Sequence, residues 1–170
     1  ASIRAMVSHQ QQEIDKAAHD KMHATFAAHS AGSQRMHWAE PESDGPWGFA
    51  RRALYADLMV LGQRDRNDSM DGELPGDFLP STLVQSGRPA LVLPYAGPVA
   101  PIGRNVLVAW KETRESARAV TAALPWLCKA ARVHVVAYGE DAEASLDRLQ
   151  DYLRMQGVQN ITLHPGGSKD

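Results

Sequence analysis

The chain has 170 residues, 44% of them hydrophobic and 22% charged, with a formal net charge of −2. That length holds one complete domain with a proper core, or one domain and part of another. The near-neutral charge lacks the basic footprint of nucleic-acid binding, and no apolar run approaches the roughly 18 residues of a membrane span. The single cysteine, Cys128, excludes an internal disulfide and points to a reducing cytoplasm. The first residues turn polar too soon for a signal peptide. The chain does not open on methionine, so a processed, trimmed or incomplete chain is expected.

Residues Ser2 to His29 read as one amphipathic helix, with Ile3, Val7, Ile14, Ala18, Met22 and Phe26 near a helical stripe. Gly32 suits the left-handed conformation that ends it. Arg35–Glu40 predicts a short strand, Pro41–Pro46 a loop, and Trp47–Leu54 a short helix. Tyr55–Gly62 predicts a strand whose apolar run, Leu58–Leu61, is that of a parallel strand covered on both faces. A polar loop over Gly62–Asp77 leads to a helix over Phe78–Ser86 and a second buried strand over Pro89–Pro94. Tyr95–Arg104, with Gly97, Pro98, Pro101 and Gly103, reads as a linker. The pattern then restarts. Strands are predicted over Asn105–Trp110, Arg132–Ala137 and Asn160–His164, helices over Arg114–Ala131 and Ala142–Gln156, and a flexible tail over Pro165–Asp170.

Strands alternating with helices of this length are the signature of βαβ units. The expected fold class is therefore α/β: an open parallel, doubly wound, Rossmann-like sheet with helices on both faces. The two halves are uneven, the first running from a helix to a strand and the second from a strand to a strand.

Two stretches carry a family resemblance. Tyr-Ala-Asp-Leu-Met-Val-Leu-Gly-Gln (55–63), leading to Ser-Gly-Arg-Pro-Ala-Leu-Val-Leu-Pro-Tyr-Ala-Gly (86–97), resembles the fourth strand, loop, fourth helix and fifth strand that close a universal-stress-protein domain. Gly-Arg-Asn-Val-Leu-Val-Ala-Trp-Lys-Glu-Thr-Arg-Glu-Ser-Ala-Arg-Ala-Val (103–120), with Ala-Leu-Pro-Trp-Leu (123–127), resembles the opening strand and helix of the next domain in a tandem member. The resemblance implies that residues 1–97 are the back of a first unit, 98–104 a linker, and 105–170 the front of a second. The family's sheet order, 3-2-1-4-5, makes these halves complementary. They are expected to complete one sheet, with Leu58–Leu61 beside Val106–Ala109, within one chain or across a homodimer.

Nucleotide-binding members cradle phosphates in a loop Gly-x2-Gly-x9-Gly followed by Ser or Thr, because glycine lets backbone N–H groups close around an anion. Here Asp65 and Pro75 stand where the second and third glycines belong, and Gly76 is followed by Asp77. The stretch 62–77 carries a local charge of −3, which repels a triphosphate unless a metal intervenes. The family's adenosine-facing aspartate is replaced by Lys111, which reads first as a solvated lysine. Candidate positions for a nucleotide or anion are thus Gly62, Arg64, Lys111 and Ala137, at the carboxyl ends of strands. ATP is possible there but disfavoured.

His19 and His23 share a helix face beside Asp20, yet two ligands are too few for a closed zinc site, and no metal site is expected. Cys128 reads as a buried, inert thiol. Trp38, Trp47, Trp110 and Trp126 are too scattered to stack bases and read as core or interface anchors. No Ser/His/Asp set or paired-carboxylate pocket is legible. The expectation is a cytoplasmic, homodimeric, universal-stress-protein-like regulatory protein without catalytic machinery, binding neither nucleic acid nor membrane. An ATP- or AMP-binding sensor and an enzyme of another doubly wound family are the alternatives.

Overall fold

A computed structural model describes residues 3–40, 45–63, 76–97 and 101–166, with side chains from residue 16 onward. Arg64 and nearly all of the acidic loop lie outside the described residues, as do the last four residues of the expected tail. Two compact units are distinguished, Ala1–Asp44 and Gly45–Asp170. The Tyr95–Arg104 stretch falls inside the second.

The first unit is the 28-residue helix α1 (Ile3–Ser30) and the segment that follows it. Gly32, at φ 79°, turns the chain out of the helix, as its place after the stripe predicts. Arg35–Glu40 is not a strand. An alternating segment needs a ladder partner, and here Trp38 packs on α1 instead, its ring centroid 5.1 Å from that of His23 and 5.5 Å from that of Phe26.

The second unit opens with helix α2 (Pro46–Ala53), where proline occupies the first turn, the position at which its missing N–H costs nothing. Strand β1 (Met59–Gly62), helix α3 (Phe78–Ser86) and strand β2 (Ala90–Leu93) follow. Gly87, left-handed at φ 59°, ends α3 and donates its N–H to Leu83 O at 3.2 Å. β1 and β2 pair in parallel from Met59↔Ala90 to Gly62↔Leu93.

The rest is a βαβαβ run: β3 (Asn105–Ala109), α4 (Arg114–Leu127), β4 (Arg132–Tyr138), α5 (Ala142–Met155) and β5 (Ile161–Gly166). The three strands are parallel in the order β3-β4-β5. Thr113 caps α4 by accepting from Ser116 N at 3.3 Å. Gly157 (φ 87°) and Val158 close α5 with a paired motif, donating to Arg154 O at 2.9 Å and Leu153 O at 3.0 Å. Val158 and Leu153, both buried, supply its apolar contact. β5 runs further than expected, taking in Pro165 and Gly166 from the tail. Asn160 O accepts from Val133 N, so odd-numbered residues of β5 turn their amides to the outer edge, where proline's missing donor removes no ladder bond.

The α/β class with parallel strands is as expected. The core gathers Val120 and Leu127 of α4, Val133 and Val135 of β4, and Leu146 and Leu153 of α5. Val120 and Leu127 of α4 share that core with Leu146 and Leu153 of α5 around Val133 and Val135, so both helices lie on one face of the three-stranded sheet. On the other face the apolar runs are less covered than expected, Leu107 being 69% exposed. The shared sheet does not form within the chain: β1-β2 and β3-β4-β5 are separate sheets, and β1 does not pair with β3.

Candidate functional site

Among the expected ligand residues, Lys111 and Ala137 come together at the carboxyl ends of adjacent strands, where Trp110 N donates to Val136 O at 2.8 Å. Lys111 is exposed and Ala137 is buried in the core, so only the lysine presents a side chain to solvent. The neighbouring acid is engaged: Arg148 of α5 grips Glu112 through Nη2 at 2.9 and 3.2 Å and Nε at 3.3 Å. That fork fixes the turn after β3 against α5. Trp110 Nε1 donates to the buried Ser145 Oγ at 2.9 Å, a second tie between the same elements. Gly62 ends β1, in the other sheet.

The less satisfied surface is the free side of β3. Arg104 O accepts from Ala131 N at 2.8 Å and Trp110 N donates to Val136 O, so the even-numbered residues turn their backbone groups toward β4. By alternation Asn105, Leu107 and Ala109 turn theirs outward, where no described residue pairs with them. A groove of about 440 Å³ runs beside this edge between β3 and α4, with Val106, Val108, Ala119 and Ala123 in its apolar lining. β1 has the same defect. Met59 N donates to Pro89 O at 3.0 Å and Gln63 N to Leu93 O at 2.7 Å, leaving Val60 and Gly62 to face outward. Val60 is 60% exposed.

On the open face of the three-stranded sheet, His134 of β4 and His164 of β5 stand with Nδ1 and Nε2 3.0 Å apart. Strand alternation puts each on that face, but the register that makes them neighbours depends on the fold, so sequence reading missed the pair. The Glu112–Arg148 fork was missed for the same reason. In the first unit His19 Nε2 meets Glu40 Oε1 at 2.9 Å, and Trp38 Nε1 also donates to Glu40. The bond from Glu40, and then its charge, raise the His19 pKa; the bonds from Trp38 and His19 lower that of Glu40. Among the described residues no three His, Cys, Asp or Glu groups are arranged to hold a metal. Cys128 is exposed, contrary to expectation: it caps the end of α4, with Sγ 3.3 Å from Gln156 O. No described helix is long and apolar enough to cross a membrane.

No protein family, no curated protein and no solved structure matches the chain.

Proposed function

We propose that this chain is a universal-stress-protein-like regulatory protein of the cytoplasm that acts through assembly, without chemistry of its own, and that its working form is a homodimer. The observation that carries the assembly reading is that, of the four sheet edges unpaired among the described residues, β3 runs beside an apolar groove and β1 leaves Val60 60% exposed. An unpaired edge with an apolar flank is a template for strand addition. One protomer's β1 beside its partner's β3, and the reciprocal pairing, would satisfy both edges in an isologous exchange. The stress-response reading rests on the residues of 55–63, 86–97 and 103–127, and the strands found over 59–62, 90–93 and 105–109 support it.

Sedimentation of the 170-residue chain tests the assembly. A dimer is expected at about 10 μM, roughly the free-energy scale of −7 kcal/mol. Leu107→Lys, which sets a charge on the β3 edge, is expected to leave a folded monomer. A wild-type chain that stays monomeric at about 100 μM would remove the reading. A nucleotide sensor is the second reading, favoured by Lys111 at the carboxyl edge of a parallel sheet. With Glu112 held by Arg148 and Lys111 in place of an acid, ATP affinity weaker than roughly 100 μM is expected by calorimetry, about −5.5 kcal/mol.

A further inference from the structure

We infer that His134 and His164 form a two-imidazole site for a divalent late transition-metal ion on the open face of the three-stranded sheet. The two rings come from adjacent parallel strands and face each other through His134 Nδ1 and His164 Nε2 at 3.0 Å. A metal–imidazole bond is about 2.0–2.1 Å, so two such bonds at a right angle hold their nitrogens about 2.9 Å apart, and at the tetrahedral angle about 3.3 Å. The observed separation, an ordinary hydrogen-bond distance in the absence of metal, also fits two neighbouring ligands on one ion. The backbone that carries the rings is held on its far side by the core: Val133 and Val135, which flank His134 in β4, are fully buried. The chelate is thus set by a rigid sheet and not by a loop.

In the metal-free protein the facing nitrogens share one proton in an N–H···N bond. Binding moves that proton to the outer nitrogen of its ring, His134 Nε2 or His164 Nδ1, so two neutral imidazoles bind with no net proton change. No third His, Cys, Asp or Glu joins the pair among the described residues. With two nitrogens from the described residues and water in the remaining positions, the site favours ions content with that set, Cu2+ and Ni2+ ahead of Zn2+.

The probe is ZnCl2, whose ion is diamagnetic, added to the unmodified chain and read from the imidazole nitrogen resonances. His134 and His164 are expected to move together before any other histidine. Either His134→Asn or His164→Asn is expected to weaken binding about tenfold or more, as losing half of a chelate does. CuCl2 supplies a check that needs no variant, since paramagnetic broadening should centre on β4 and β5 of the wild-type chain. Broadening centred on His19 and His23, or single variants that bind as the wild type does, would overturn the assignment. The readouts are independent of the oligomeric state, so the failure of one proposal leaves the other standing.

Discussion

Ser145 shows how one buried hydroxyl can set the pitch between a strand and a helix. It lies on the core face of α5 and receives the indole N–H of Trp110, 35 positions earlier, at 2.9 Å. A part-buried donor–acceptor pair of this kind contributes about 1 kcal/mol net. Ser145→Ala and Trp110→Phe should each destabilise the chain, the indole change more because it also removes packed ring. Their double-mutant cycle in urea should return a coupling of about 1 kcal/mol. Independent, additive losses would mean that the bond contributes nothing beyond packing.

At the scale of elements, the segment carrying Trp38 and Glu40 is held on α1 by a charge pair with two opposite pH limits. The His19 pKa is raised, so its share of the stabilisation is complete below the ordinary 6.5 and is lost as pH rises through the raised value. The Glu40 pKa is lowered, so its share is complete above the ordinary 4.5 and is lost as pH falls through the lowered value. The clasp is therefore fullest between about 4.5 and 6.5. Both side chains are half exposed, which makes the effect local and sensitive to salt. The Trp38 indole resonance should hold one position across that interval and shift on either side, and Glu40→Gln should abolish both shifts. An indole signal unchanged from pH 4 to 8 in the wild type would contradict the arrangement.

The same segment marks the limit of what could be read from residues. The apolar run Leu58–Leu61, with Gly32 in the left-handed position after α1, revealed a strand and a helix end because those signals are local. Arg35–Glu40 alternates like a strand, but pairing needs a neighbour that the alternation does not supply. Register is also non-local. Register decides that His134 meets His164, helix packing that Arg148 reaches Glu112, and topology that β1 stays apart from β3, so none of these was legible. Lys111 and Gly62 were placed correctly at strand ends, but their sharing a site depended on the two sheets joining.

Across the molecule, the second unit has unequal reserves. Its large buried apolar side chains cluster between Val106 and Leu163, whereas among the described residues of its first half the buried apolar ones are Ala50, Ala53 and Met59. A fully buried Leu or Val contributes about 1.5–3 kcal/mol, and an alanine much less. Native-state hydrogen exchange in rising urea should therefore show Val133, Val135 and Leu149 among the last amides to exchange, with β1 and β2 opening at clearly lower free energy. One common exchange energy for all five strands would show that the halves open only together.

The confinement of the core to the βαβαβ run also governs tempo. Its crossovers join strands that are neighbours in sequence, so little chain entropy is lost before native contacts form. Residues 105–166 should thus fold early and outlast the rest, and the β1–β2 pair should open and re-form more often than the core unfolds. A protease would reach that detached pair first, and the fragment it leaves behind would be the three-stranded sheet with α4 and α5 still packed on it.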